Sequence, residues 1–266
     1  MSILKNKTIL YFVFLAVLYF SCSCFAEARK AKGPVEFEYQ AKDGFNIIGS
    51  LDVPKKASMK NKVPLVIFLH SLGKSKIDWQ GFPAKVKELD PDMAILALDL
   101  RGHGQSIMNK KGKRKYWQNF SDQDFQKYPE DICSALDSIR QQYPEININK
   151  VAIVASNISA NAAILAARKN DKAVKTLVLL SPTTSYKGIE TRIPMAEYGN
   201  NPVLIMVSKK DRFSYIGSSE LIKYAQGIKE LKVFPDGGNG TNLLKFQPES
   251  QKIILDWLNK YFVSTK

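Results

Sequence analysis

Short runs of almost purely apolar residues recur along this chain, and they limit the folds that it can adopt more than any other feature. Each run has six residues and is rich in Val, Ile, Leu, Met or Ala. Five stand out: Pro64–Leu69, Met93–Leu98, Val151–Ser156, Thr176–Ser181 and Pro202–Val207. Runs of this length without polar alternation are typical of strands buried on both faces of a parallel sheet. A further strand is predicted at Leu231–Phe234.

Helical patterns separate these runs. Apolar residues repeat at helical spacing from Ile132 and again from Ile254, and Ala160–Arg168 is rich in alanine. Upstream, Val35–Tyr39 and Phe45–Leu51 alternate apolar and polar residues around a Lys-Asp-Gly turn, which indicates an antiparallel hairpin. The order predicts one α/β domain that begins with this hairpin and continues as a mostly parallel sheet with helices on both faces.

The first 28 residues have the pattern of an export signal. Lys5 and Lys7 precede the apolar stretch Thr8–Phe20, and Ala26-Glu27-Ala28 matches a cleavage site. We therefore expect residues 1–28 to be a signal peptide and 29–266 to form the single folded domain. Cys22 leaves open a lipoprotein leader, and an uncleaved anchor is the other alternative. The expected location is periplasmic, secreted or on the outer envelope as a lipoprotein.

Charge and histidine content exclude several classes of function. Lys and Arg number 39 against 25 Asp and Glu, giving a formal net charge of +14. The densest basic cluster, Lys110–Lys115, has no nucleic-acid motif beside it, so weak attraction to an anionic envelope surface is the expected partner interaction. There are only two histidines, His70 and His103, which excludes a multi-histidine metal site; we expect neither a metal nor a cofactor. Nothing in the sequence predicts the oligomeric state.

Polar loops follow the predicted strands, at the edge where open parallel sheets bind their ligands. His70-Ser71-Leu72-Gly73 follows the first parallel strand, and the Asp-Leu-Arg-Gly-His-Gly-Gln-Ser turn from Asp99 to Ser106 follows the second. With these two motifs in this order, the chain resembles the α/β-hydrolase superfamily of serine esterases and dienelactone-hydrolase-like enzymes. The resemblance implies an eight-stranded sheet and a Ser–acid–His catalytic triad in that chain order.

Two of the three triad positions hold amides. The turn that carries the nucleophile in the resembled family has Asn157 in place of serine, and the loop after the last strand has Asn239 in place of histidine. The acid is retained as Asp211. A carboxamide can act neither as nucleophile nor as general base near neutral pH. By the same resemblance, backbone N–H groups of Leu72 and Ile158 form an oxyanion hole, which side-chain replacement does not remove.

The leading hypothesis is therefore an exported hydrolase-like pseudoenzyme that binds a carbonyl- or carboxylate-bearing small molecule. A decayed site filled by water is the plainer alternative for the same residues. Candidate pocket residues beside the triad positions are His70, Ser71, Ser156 and Ser159. A second hypothesis is an active ester or thioester hydrolase that uses one of these serines with a shifted base, and a third is an envelope-associated structural or adhesive protein.

Overall fold

The computed structural model describes residues 33–79 and 81–264. The chain divides into two compact units, Met1–Val35 and Glu36–Lys266, and the described fold is that of the second. The predicted signal peptide, residues 1–28, lies outside the described residues. No helix within the described ranges is long and apolar enough to cross a membrane.

Eight strands form the main sheet, in the order β1-β2-β4-β3-β5-β6-β9-β10. Their bounds are β1 Val35–Gln40, β2 Asn46–Asp52, β3 Val63–Leu69, β4 Ala94–Leu98, β5 Ile146–Ser156, β6 Val174–Leu180, β9 Val203–Ser208 and β10 Lys229–Phe234. A separate two-stranded sheet consists of β7 Ser185–Tyr186 and β8 Ile189–Glu190. From β3 to β10 the pairing in the main sheet is parallel, while β2 runs antiparallel to β4. The α/β class, the eight strands and the N-terminal antiparallel pair are as predicted.

Helices cover both faces of the sheet. Their bounds are α1 Phe82–Leu89, α2 Asp122–Phe125, α3 Tyr128–Gln142, α4 Ile158–Lys169, α5 Arg192–Glu197, α6 Arg212–Leu221, α7 Asn242–Phe246 and α8 Glu249–Leu258. Three 3-10 segments, at Lys76–Trp79, Trp117–Asn119 and Ile222–Tyr224, and a π-helical segment, Asn259–Val263, complete them. On one face, residues of α1, α7 and α8 join the inward side chains of the strands in one apolar core. On the other face, α3 packs against α4.

The order of the strands decides which loops meet. Because β3 and β5 are neighbours at the centre of the sheet, the loop that follows Leu69 lies beside the turn that follows Ser156. The loops after β6, β9 and β10 follow on one side, since those strands are the next in the sheet. The site predicted from the sequence therefore draws on loops that leave the sheet at a single edge.

A buried ion pair anchors the loop after β4 to its surroundings. The Arg101 guanidinium donates to Asp131 on α3 through Nε, at 2.6 Å, and to Asp43 in the turn between β1 and β2, at 2.8 Å. The side chains of Arg101 and Asp131 are only 3% and 2% exposed, so both charges depend on their partners. Burial raises the pKa of Asp131 to about 6 although the guanidinium opposes the change.

Candidate active site

Asn157 occupies a sharp, strained turn between β5 and α4. Its backbone has φ 58° and ψ −124°, a combination that residues with a side chain rarely adopt. The turn is held from both sides: the Asn157 N–H donates to the Leu180 carbonyl at 2.8 Å, and its own carbonyl accepts from the N–H of Ala160 at 3.0 Å. This backbone conformation places the Asn157 side chain at the carboxyl edge of the sheet, ahead of the first helical turn.

Ser159 braces this turn from inside. Its hydroxyl donates to the carbonyl of Leu69 or of Ser156, each at 2.8 Å, and accepts from the Ser156 N–H at 3.0 Å. The side chain is fully buried, so its polar atom is committed to the backbone. The sequence placed Ser159 among the candidate pocket residues, but the structure gives it a different task, because its hydroxyl ties the end of β3 to the turn.

The structure brings Asn157, Asn239 and Asp211 into one hydrogen-bonded chain, which we call the amide relay. Asn157 Nδ2 donates to Asn239 Oδ1 at 2.9 Å, and Asn239 Nδ2 donates to Asp211 Oδ2 at 2.5 Å. The residues are separated by 82 and 28 positions in sequence, so the fold alone assembles them. All three are partly exposed, which leaves the relay within reach of solvent.

Ser214 is a relay contact that the sequence analysis did not predict. Its hydroxyl lies 3.1 Å from Asn239 Nδ2, and its N–H donates to Asp211 Oδ1 at 3.3 Å as Asp211 caps α6. The aspartate directly before the helix predicts a cap on the N–H three residues later, but no local pattern predicts the contact between the Ser214 hydroxyl and Asn239. Both partners of the Asn239 amide nitrogen thus lie at the N-terminal end of α6, Asp211 as its cap and Ser214 in its first turn.

The loop that carries Asn239 lies close against the two central strands. Gly240 has φ 57°, and its N–H donates to the Ser181 hydroxyl at 2.9 Å. A β-carbon at this position would lie 2.3 Å from Ser156 Oγ and 2.6 Å from Ser71 Oγ. Only glycine allows the loop to come so near, and this approach brings Asn239 within reach of Asn157.

Ser71 and Ser156 are nearly or fully buried, and their hydroxyls pair with each other. The two Oγ atoms are 2.6 Å apart; Ser71 is 6% exposed and Ser156 is fully buried. A shifted catalytic dyad would need an imidazole nitrogen at hydrogen-bond distance from one of them. The hydroxyl pair lies close against Gly240, and each hydroxyl has the other as its partner.

Both histidines are neutral and bonded to the backbone. His70 Nε2 accepts from the Leu100 N–H at 3.0 Å, so the proton is on Nδ1 and is donated to the Ser71 carbonyl at 2.8 Å. His103 has the same tautomer: Nε2 accepts from the Gly73 N–H and Nδ1 donates to the Arg101 carbonyl, each at 3.0 Å. Burial lowers the pKa of His70 to about 3, with a contribution from His103, and lowers that of His103 to about 4.

These bonds decide what the histidines can do. With all four ring nitrogens in hydrogen bonds to the backbone, neither imidazole is left to activate a serine. His70, expected to line a ligand pocket, is fully buried instead, and it joins the loop after β3 to the loop after β4. Trp117, which the sequence analysis did not single out, stacks on the His103 ring at a centroid distance of 5.5 Å and fixes the segment that follows β4.

The expected oxyanion donors belong to two adjacent loops, those after β3 and β5. Ile158 is the first residue of α4, and Leu72 lies in the loop after β3, one residue before the glycine that binds His103. Neither N–H has a backbone acceptor within the described part of the chain. No group of three or more His, Cys, Asp or Glu able to hold a metal occurs in that part either.

Comparisons with known proteins agree with this architecture. A family model described as serine aminopeptidase, S33, matches residues 64–198, which are 135 of the 266 residues. No curated protein matches the chain. Among solved structures, a dienelactone hydrolase from Anabaena variabilis ATCC 29413 is similar, with TM-score 0.58 and 17% identity over 87% of this chain and 98% of that one. An acetyl xylan esterase from Paenibacillus sp. R4 is similar with TM-score 0.66 and 16% identity, over 87% and 85% of the two chains.

Proposed function

This chain belongs to the serine aminopeptidase S33 family of the α/β-hydrolase superfamily, and we propose that it is a member without hydrolytic activity. It binds a small molecule through a carbonyl or carboxylate group at the amide relay. The observation that carries the proposal is the hydrogen-bonded chain from Asn157 through Asn239 to Asp211.

Support comes first from the chemistry of the three groups. In the arrangement that this fold uses for catalysis, a hydroxyl attacks while an imidazole takes its proton and a carboxylate orients the imidazole. Asn157 and Asn239 stand at the first two positions and Asp211 at the third. A carboxamide has no comparably nucleophilic atom and does not exchange a proton near neutral pH, so the sequence of steps cannot begin.

The groups that would bind a ligand oxygen are backbone groups, and they do not depend on which side chains occupy the triad positions. The strained turn at Asn157 is kept, and strain of this kind persists only where the surrounding structure holds it. The N–H groups of Leu72 and Ile158 are backbone donors, and the latter opens a helix of 12 residues whose N-terminal end favours negative charge. A carbonyl or carboxylate oxygen is the chemical group that this arrangement accepts.

The alternative of a shifted nucleophile has little support in the geometry. Ser71 and Ser156 bond to each other, and the ring nitrogens of both histidines are bonded to the backbone. An active enzyme would have to break these bonds to bring a base to a hydroxyl. An active ester or thioester hydrolase therefore remains an outcome of the following test rather than the proposal.

Hydrolysis of short-chain nitrophenyl esters tests the proposal. The wild-type protein should not exceed the background rate, whereas Asn157→Ser combined with Asn239→His should exceed either single variant by about 10²-fold, the usual contribution of a positioned general base. The single variants are the matched controls, because each supplies only one of the two missing groups. Wild-type turnover that survives Asn157→Ala would contradict the proposal.

Export and attraction to an anionic envelope surface belong to the same proposal. Residues 109–114, the basic turn, form a structured tip: Asn109 Oδ1 accepts from the N–H groups of Lys111 and Lys113 at 2.9 and 3.0 Å. Four exposed cations lie on it, those of Lys110, Lys111, Lys113 and Arg114, and none forms an ion pair within residues 33–79 and 81–264.

This surface is open to a simple test. Retention on vesicles containing anionic lipid should fall as salt is raised, since exposed charges are screened within about 10 Å at 0.1 M. Exchanging Lys111 and Lys113 for glutamate should abolish it. The same exchange at Lys252 on α8 and Lys260 in the π-helical segment that follows is the control. Retention that changes neither with salt concentration nor with the substitutions in the basic turn would favour a lipid anchor instead.

A further inference from the structure

The amide relay has a direction, and the carboxylate sets it. Asp211 can only accept hydrogen bonds, so the side-chain group of Asn239 that faces it must be the NH2. The oxygen of Asn239 must then face Asn157, and it accepts a hydrogen bond from the Asn157 NH2 at 2.9 Å. Turning either amide over would set two oxygens against each other.

This direction leaves an acceptor at the open end. Asn157 Oδ1 receives no hydrogen bond from the described residues, and the side chain is partly exposed. The position that would hold a serine hydroxyl, both donor and acceptor, thus presents a carbonyl oxygen to a ligand. The N–H of Ile158, one residue on, presents a donor. The site offers one acceptor and one donor on neighbouring residues, Asn157 and Ile158.

We infer that the ligand group is a carboxamide, in preference to the carboxylate or ester of the same skeleton. This inference rests on the proposed function and narrows its ligand class. The carbonyl oxygen of an amide accepts from the backbone donors while its N–H donates to Asn157 Oδ1. A carboxylate would bring a second oxygen against Oδ1, and an ester has no hydrogen to offer it.

One substitution should reverse the relay without removing any of its bonds. In Asp211→Asn, the Ser214 N–H keeps the oxygen of the new amide at the Oδ1 position, 3.3 Å away in the wild type. The NH2 then replaces Oδ2 and faces Asn239, which must turn its oxygen toward it and its NH2 toward Asn157. Asn157 then turns its own NH2 outward, and the open end becomes a donor.

The experiment is a titration with phenylacetamide, phenylacetate and methyl phenylacetate, followed by backbone and side-chain amide NMR signals at Asn157 and Ile158. Wild type should bind the amide about tenfold more tightly than the carboxylate, the equivalent of one hydrogen bond. Asp211→Asn should prefer the carboxylate. Asp236→Asn makes the same change on an exposed carboxylate of the loop that also carries Asn239, bonded to Lys210 rather than to the relay, and should keep the wild-type order.

The outcomes separate the two claims. A wild-type preference for the carboxylate, the same order in Asp211→Asn as in wild type, or no shift with any probe at its solubility limit overturns the carboxamide inference. Release of methanol from the ester during the titration overturns the proposed lack of hydrolysis instead, and the NMR spectrum reports it directly.

Discussion

The strain at Asn157 predicts an unusual order of stability among substitutions at this position. Asn157→Gly and Asn157→Ala both remove the same hydrogen bond to Asn239, a loss of about 1 kcal/mol in each case. They differ in the backbone. With φ 58° and ψ −124°, alanine retains a strain of about 1–3 kcal/mol, whereas glycine adopts these angles freely.

The unfolded chain offsets part of this gain. Glycine gains more conformational entropy on unfolding than alanine, worth about 0.5–1 kcal/mol. The balance leaves Asn157→Gly more stable than Asn157→Ala by about 0.5–2 kcal/mol. At an ordinary position in a strand or helix the order is the opposite. For a protein of this size the difference corresponds to several degrees in Tm at most, since about 2–4 °C accompanies each kcal/mol.

Urea unfolding of the two variants measures this difference directly. The midpoints should differ in favour of glycine while the m-values agree, because the surface exposed on unfolding is the same. Glycine and alanine variants at Ala160, inside α4, serve as the control, and there alanine should be the more stable. An alanine variant at 157 that equals or exceeds the glycine variant would refute the strain at this turn.

Three other substitutions or conditions test the surroundings of the site. Arg101→Met should cost about 3–5 kcal/mol in unfolding free energy, because it leaves the Asp131 carboxylate buried without its partner; denaturant unfolding measures the loss. Each of the two histidines should lower the unfolding free energy by about 2 kcal/mol at pH 5 relative to neutral pH, because the folded pKa values of His70 and His103, about 3 and 4, lie below the unfolded value. The pKa of Asp131, raised to about 6, acts in the opposite direction over the same range, so variants with glutamine at each histidine isolate the fall by removing it. Gly240→Ala should lower the unfolding free energy by about 2 kcal/mol or more, because of both the φ of 57° and the contact of the new β-carbon with the Ser71–Ser156 pair. Gly112 has φ 70° but open space around it, so Gly112→Ala should cost only the backbone strain.

The sequence predicts the fold well because the physical signal is local. Each apolar run is itself a buried strand, and the hairpin and helix patterns can be read within a few residues. The bounds differ more: β5 begins at Ile146, five residues before the predicted run, where polar residues still interrupt the pattern. Tertiary pairing with β3 extends the strand at that end, and a local pattern cannot report it.

The site also has parts that the sequence predicts and parts that it does not. Asn157, Asp211 and Asn239 can be found from motifs, since each follows a strand at a recognisable turn. The direction of the relay cannot be predicted from these motifs, because it depends on which atom of Asn239 meets the carboxylate 28 residues away. The histidine tautomers and the Ser71–Ser156 pair are hidden for the same reason: they are set by atoms of loops that only the folded sheet brings together.

Labelling with a fluorophosphonate probe, read by intact mass and peptide mapping, tests the central claim most directly. The probe reacts with an activated serine whatever the preferred substrate, so it does not require the ligand to be known. We predict no adduct on the wild-type protein and an adduct at position 157 in Asn157→Ser combined with Asn239→His. An adduct on wild-type Ser71, Ser156 or any other serine would contradict the account, because it would reveal a nucleophile and a base that the amide relay is proposed to have replaced.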